Sequence, residues 1–179
     1  EAACVSGHGA NRLGGNYLLD LIVFGRASGL FIENQLKEGI SHKSVSNDDI
    51  EQGMNRLNKI NNSKSGEKAP VLRSELQTIM QNYFGVFRRG DFMKKGIDKL
   101  NDLKARVENV HLEDKSSAFN TARIEALELQ NLFETAYATA VAAEGRTESR
   151  GAHAREDFQE RDDDNWLCHS IYMPGKREI

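Results

Sequence analysis

The chain has 179 residues and a net charge of −3; 39% of its residues are hydrophobic and 28% are charged. This balance is typical of a folded globular protein, which argues against disorder, and the small net charge gives no reason to expect nucleic acid as a partner. Its two cysteines, Cys4 and Cys168, are too few for a disulfide framework or a zinc site. Because nothing in this cysteine content implies an oxidising environment, we expect the protein in a reducing compartment.

Residues 7–16, GHGANRLGGN, form the first segment with a chemical signature. Four glycines leave a bare backbone that a ligand can approach closely. A helix predicted to start at about Asn16 directs its free N–H groups and positive dipole end back at this segment. With Arg12, whose planar guanidinium suits a carboxylate, the pattern predicts an anion-binding loop. The alternative from the residues alone is a tight loop in which Arg12 pairs with an acidic side chain.

The predicted helix from Asn16 to Leu36 is apolar nearly all round. It carries Asp20 and Arg26, and its apolar run is shorter than a bilayer requires, so we predict no transmembrane segment. Helices that are apolar on every side are normally buried in a larger structure. We therefore expect some self-association of the isolated chain through this surface.

Four further helices are predicted between about Asn47 and Gly145, because apolar residues recur there every three or four positions. The recurring positions are Ile50, Met54, Leu57 and Ile60; Leu72, Leu76, Ile79, Tyr83 and Phe87; Met93, Ile97, Leu100, Leu103, Val107 and Val110; and Ile124, Leu127, Leu132, Phe133, Ala136 and Ala140. Only two residues of the chain are proline, which suits long helices. The predicted fold is mainly α, an antiparallel bundle of three long helices and one shorter helix.

The last 30 residues have a different character. Residues 150–164 are densely charged, and residues 167–173, LCHSIYM, are predicted as a strand from their weak alternation. The acidic run Asp162–Asp164 is predicted to form a turn with salt bridges and not a metal site, because calcium and magnesium sites use spaced oxygen ligands. No metal site is predicted elsewhere.

Two long motifs resemble one family of flavoproteins. The sequence closely resembles the flavoprotein subunit of succinate dehydrogenase near both of its ends. The matching segments are Glu1–Cys4, His8–Asn16 and Leu18–Gly25 near the start, and Glu148–His153 and Asn165–Ser170 near the end. Fumarate reductase and L-aspartate oxidase belong to the same superfamily and share HGANRL and ESRG. Three features favour succinate dehydrogenase over fumarate reductase and L-aspartate oxidase: the double glycine, the Leu-Leu-Asp that follows it and the Trp-Leu-Cys-His-Ser run.

The resemblance implies specific site residues. Arg12 matches the arginine that grips a substrate carboxylate, so it is the expected catalytic and substrate-binding residue, orienting the dicarboxylate for hydride loss to FAD. Glu1 matches a glutamate that contacts FAD. Asn16, Tyr17 and Leu18 match the helix start whose backbone N–H groups meet the flavin, although Tyr17 stands where serine is usual.

Several other polar residues have two interpretations. His8 either lines the pocket or caps the loop by a hydrogen bond, and we expect the second. Arg150, His153 and Arg155 are expected to form a charged cluster that ties the helical domain to the flavin domain, in preference to a catalytic cluster. His111 lies in polar surroundings and is expected to be solvated.

The family's FAD-binding βαβ unit, with its glycine fingerprint, has no match in this sequence. The resemblance therefore implies that the fingerprint and most of the active site lie upstream of Glu1, and that this carboxyl-side part is inactive alone. We expect residues 1–46 to be the last segment of an FAD-binding α/β domain and residues 47–149 to be the helical bundle domain. Residues 150–179 are expected to be a charged interdomain segment and the start of a C-terminal tail.

For the whole protein, the resemblance implies oxidation of succinate to fumarate through FAD, with electrons passed to an iron–sulfur subunit and quinone. The implied partners are that subunit, membrane-anchor subunits and the dicarboxylate. The implied location is peripheral, on the cytoplasmic or matrix side of the inner membrane. A non-catalytic helical interaction module is the alternative from another class; it explains the bundle but not GHGANRLGGN.

Overall fold

The computed structural model describes His8 and residues 14–174. Within them the chain forms six helices and two strands of two residues each, which confirms the mainly α prediction. The helices are α1 (Asn16–Lys37), α2 (Asn47–Asn61), α3 (Ala69–Tyr83), α4 (Gly90–Glu108), α5 (Thr121–Gly145) and α6 (Asp163–Trp166), and the strands are β1 (Phe87–Arg88) and β2 (Ala154–Arg155). The chain divides into two compact units, residues 1–47 and 48–179.

In the first unit, α1 leaves most of its apolar side chains exposed. Asp20 is its one buried residue, whereas Leu18, Ile22 and Leu36 are each more than 60% exposed. This agrees with the sequence pattern, which places apolar residues around the whole circumference of the helix. No helix within the described residues is both long enough and apolar enough to cross a membrane.

In the second unit, α3, α4 and α5 pack against one another in pairs around one apolar core. Arg106, near the end of α4, binds Glu67, which lies just before α3, and Glu75 in the second turn of α3, so these two helices run antiparallel. The largest fully buried core side chains come from all three helices, from the end of α2 and from the loop after α4; they are Ile60, Leu72, Leu76, Met93, Leu100, Leu103, Leu112, Leu129 and Phe133. The predicted bundle is therefore present, with α3, α4 and α5 as its three long helices.

Three of the predicted apolar stripes need correction. The stripe of α3 ends at Tyr83, because Phe87 lies in β1 and is 76% exposed. In α2 only Ile60 is buried, and Ile50 is 53% exposed, so the helix contributes its last turn to the core. In α5 Ile124 and Leu132 are exposed, while Ala126 and Leu129 are buried. Several helical faces of α5 are apolar, so spacing alone does not decide which of them packs against α3 and α4.

The C-terminal segment, defined here as residues 146–173, contains a second correction. Residues 167–173 do not form a strand; the strands in the described part of the chain are β1 and β2, which pair in parallel. The carbonyl oxygen of Cys168 accepts a hydrogen bond from the Arg146 side chain and not from the backbone of a neighbouring strand. A strand requires a backbone partner as well as an alternating pattern, and the sequence pattern cannot supply that partner.

Candidate functional site

The predicted flavin-facing segment is described in part. Arg12 and Glu1 lie outside the described residues, whereas Asn16, Tyr17 and Leu18 form the first turn of α1, as the sequence predicts. Their role in binding FAD stays a prediction.

The first turn of α1 has the features of an anion-facing helix start. The chain enters through Gly14 at φ +69°, a left-handed conformation that favours glycine, and Gly15 at the helix start has no side chain with which to cap it. The first turn carries no acidic residue, so no carboxylate of that turn offsets the positive end of the helix dipole. A Cβ added at Gly14 would meet nothing within 4 Å among the described atoms, which leaves room beside the backbone.

His8 contacts α1. Its Nε2 lies 3.3 Å from Oδ2 of Asp20, the buried acidic residue in the second turn of the helix. The two atoms are at ion-pair distance but without hydrogen-bond geometry. The contact places His8 against α1, which favours the loop-stabilising interpretation of His8, although its geometry is not that of the expected hydrogen bond.

The densest polar cluster lies in the C-terminal segment around Glu148, whose side chain is fully buried. Arg150 donates to both carboxylate oxygens at 2.7 and 2.9 Å, and Arg146 donates to Oε1 at 2.6 Å. The backbone N–H of Asp162 adds a fourth bond at 2.9 Å. These donors, Arg150 first, lower the pKa of Glu148 to about 2 against the opposing effect of burial.

Arg155 and Asp157 join the ends of two helices. The nearly buried guanidinium of Arg155 donates to the carbonyls of Ala143, Glu144 and Arg146, which lie at the end of α5. It also binds both carboxylate oxygens of Asp157 at 2.7 and 2.8 Å, and Asp157 accepts the N–H of Gly90 at the start of α4. A cation at a helix C-terminus and an anion at a helix N-terminus both offset the helix dipole. The hydrogen bonds to Arg155, chiefly, hold the pKa of Asp157 well below its usual range.

His153 is held between two neighbours. Nη1 of Arg88 lies 2.9 Å from its Nδ1, and its Nε2 lies 3.1 Å from the carbonyl oxygen of Arg146. The pKa of His153 is lowered, chiefly by burial and further by the charges of Arg88, Arg155 and Arg146, while the hydrogen bond to the Arg146 carbonyl opposes the shift.

The charged cluster predicted from Arg150, His153 and Arg155 therefore exists, but every contact given for this cluster joins residues of the second unit. Its link to a flavin domain stays a prediction. Sequence reasoning missed Glu148 as the centre of the cluster, although the alternation Arg146, Glu148, Arg150 was a signal for it. The acidic run makes salt bridges as predicted, since Asp163 pairs with Arg150 and Arg161, but it begins a short helix and not a turn, with Asp162 as the cap of α6.

The structure also shows the surroundings of His111 and bears on metal binding. His111 is half-buried, with Nδ1 3.3 Å from Oγ of Ser63, so the expectation that it is solvated was wrong. Its burial follows from the contact between the loop after α2 and the end of α4, which lie about fifty positions apart in sequence. Among the described residues no group of histidine, cysteine or acidic side chains is arranged to hold a metal ion.

Comparison with known proteins assigns the chain to a family. Residues 73–179 match the family described as "Fumarate reductase flavoprotein C-term", and the chain belongs to that family. The succinate dehydrogenase flavoprotein subunit of Coxiella burnetii is 53% identical over 173 residues, which cover 97% of this chain and 30% of the relative. The chain thus spans about 30% of the length of that curated relative.

Solved structures agree with this assignment. A quinol fumarate reductase chain from E. coli has a TM-score of 0.80 at 37% identity and covers 89% of this chain and 28% of that chain. A chain of the Mycobacterium smegmatis Sdh1 complex has a TM-score of 0.78 at 35% identity and covers 88% and 26%, respectively. The resemblance to this flavoprotein family that the motifs indicated is thereby confirmed.

Proposed function

We propose that this chain is part of a succinate dehydrogenase flavoprotein, which oxidises succinate to fumarate. The observation that carries the proposal is the 53% identity to a succinate dehydrogenase flavoprotein subunit over 97% of the chain. The segment GHGANRLGGN and the open first turn of α1 supply a physical reason for dicarboxylate and flavin chemistry at this end of the chain.

In the proposed site, Arg12 binds one carboxylate of the dicarboxylate and fixes its orientation. Glu1 accepts a hydrogen bond from FAD, and the first-turn backbone of Asn16, Tyr17 and Leu18 faces the flavin. The described part of this site fits such a group, because the helix start has no acidic residue in its first turn. When bound, FAD supplies the two-electron acceptor for succinate oxidation.

The electron acceptors and location belong to the same proposal. We propose that the whole protein passes electrons to an iron–sulfur subunit and then to quinone, and that membrane-anchor subunits hold it peripherally at the inner membrane. The solved relatives include a complex and a quinol-dependent reductase, which supports such an assembly. The chain alone should not turn over succinate, because no glycine fingerprint for FAD is present in it.

Fumarate reductase is the second candidate. The 37% identity and TM-score of 0.80 to the E. coli enzyme favour it specifically, and the same carboxylate-binding arginine serves either direction of the reaction. The direction depends on the potentials of the electron partners, so it must be measured with the assembled complex.

The test is Arg12→Gln in the full-length flavoprotein within its complex, assayed with succinate, fumarate and L-aspartate. We expect kcat/KM for the dicarboxylate to fall at least about 100-fold, because one charge-assisted contact to the reacting molecule is lost. FAD absorbance should be retained. The matched control is Arg161→Gln, an exposed arginine paired with Asp163, which should leave the rate unchanged.

Unchanged dicarboxylate kinetics in the Arg12→Gln variant would refute the proposed role of Arg12 and favour a non-catalytic helical module. Turnover of L-aspartate in preference to succinate would instead assign the whole protein to the oxidase branch. The 179-residue chain alone is the negative sample, and a flavin absorbance band that copurifies with it would contradict its proposed inactivity.

A further inference from the structure

We infer that His153 is a proton-sensitive latch that holds the part of the C-terminal segment around β2 against the helical bundle. The latch is closed when the imidazole is neutral and opens when it gains a proton. This inference concerns regulation of local structure and does not depend on the proposed function.

The contacts of His153 fix its protonation state. Arginine is a donor only, so Nδ1 of His153, 2.9 Å from Nη1 of Arg88, must be the acceptor of that bond. Nε2 must then carry the hydrogen, which it donates to the carbonyl of Arg146 at 3.1 Å. A second proton on Nδ1 would place two donors face to face, so protonation and the Arg88 bond exclude each other.

The charged groups around the imidazole make protonation of His153 energetically unfavourable. Cations face it from three sides: Arg88 on β1, Arg146 at the end of α5 and Arg155 on β2. The nearby carboxylates already have partners, since Glu148 binds Arg146 and Arg150 while Asp157 binds Arg155. An imidazolium here would therefore have cations as neighbours and no uncommitted carboxylate among these groups.

The Arg88–His153 bond lies beside the contacts that dock β2. His153 and Arg150 exchange backbone hydrogen bonds at 2.9 and 3.0 Å, and the N–H of Glu156 donates to the carbonyl of Arg88 at 2.8 Å. Asp157, one residue further, caps the start of α4. Loss of the bond to Arg88 should therefore loosen residues 150–158 together while the apolar core stays closed.

The sign of the pH effect follows from linkage. The folded-state pKa of His153 lies below its ordinary value of about 6.5, so the closed form binds fewer protons than the open form below that pH. The latch is stable above about pH 6.5 and weakens as the pH falls. Protonation and the Arg88 bond exclude each other, so only the open form takes up the proton; with an ordinary pKa of about 6.5 in that form, the opening equilibrium should rise about tenfold between pH 7.5 and pH 5.5.

The test is amide hydrogen exchange on the purified chain at pH 7.5 and 5.5, with each rate divided by its intrinsic chemical rate. The corrected rate of the Glu156 amide, which reports the β1–β2 pairing, should rise about tenfold at the lower pH. The amide of Leu103, in the middle of α4 and fully buried, should show no such rise.

Two variants identify the titrating group. Gln at position 153 can accept from Arg88 and donate to the Arg146 carbonyl without titrating, so His153→Gln should abolish the pH dependence of the Glu156 amide whatever its absolute rate. His169→Gln, at an exposed position in the same segment, should retain it. A flat wild-type profile, or a tenfold rise that survives in His153→Gln, would each overturn the latch.

Discussion

The helical bundle and the C-terminal segment belong to the same unit but are stabilised by different interactions. The bundle buries a continuous apolar core, with Leu72, Leu100 and Leu103 fully inaccessible. The C-terminal segment buries two charged residues: Glu148, whose hydrogen bonds to Arg146, Arg150 and Asp162 hold parts of the segment together, and Arg155, whose hydrogen bonds attach the segment to the end of α5. Apolar burial depends on area and volume, whereas buried charges depend on having every partner in place. The stability of the segment should therefore change with charge substitutions and with pH, whereas the stability of the bundle should change with substitutions that alter its packing.

The largest effect is expected from Phe133→Ala in α5. Phe133 is the largest of the fully buried core side chains, and its truncation leaves a cavity, so the free energy of unfolding should fall by about 3–5 kcal/mol. Leu132→Ala is the matched control on the next residue; its side chain is 43% exposed, so we expect a loss below about 1 kcal/mol. Urea denaturation of both variants measures this difference. Equal losses would place the core on the wrong face of α5.

A smaller effect, confined to the C-terminal segment, is expected from Glu148→Gln. The substitution keeps the shape but removes the charge that Arg146 and Arg150 bind, at a cost of about 2 kcal/mol. Limited proteolysis should cut the segment faster while the denaturation midpoint of the bundle moves little. Glu160→Gln, at an exposed position, is the control and should behave as the wild type.

The same carboxylate predicts how the wild-type segment responds to acid. The pKa of Glu148 is lowered to about 2, so its contribution is complete above its ordinary pKa of about 4.5 and is lost as the pH falls from there towards 2. If the Glu148→Gln variant showed the same proteolysis profile as the wild type across this range, the Glu148 cluster would not be what holds the segment together.

The smallest effect is expected from Asp157→Asn. Asparagine can still accept the N–H of Gly90 through its one oxygen, but its NH2 group then faces the Nε–H of Arg155, so the variant loses the charge and one of the two hydrogen bonds to Arg155, about 1 kcal/mol. Asp164→Asn, an exposed neighbour in the same segment, should cost nothing measurable. Proteolysis rates of the two variants give the comparison, and identical rates would remove Asp157 from the attachment of the segment.

The sequence by itself determined the mainly α fold, the positions of α1 to α5 and the family. Helical periodicity is local, since residues three or four apart share a face, and the long motifs can be read without coordinates. Asn16, Tyr17 and Leu18 were placed correctly at a helix start for the same reason.

Only the tertiary structure decided which face of α5 is buried, that residues 167–173 pair with no strand among the described residues, and that Glu148 is the centre of a charge cluster. Each of these depends on partners that folding brings together from distant positions, such as Arg88 with His153, 65 positions apart. Local pattern fixes what a segment can become, whereas burial and hydrogen-bond partners depend on what lies next to it in the folded chain.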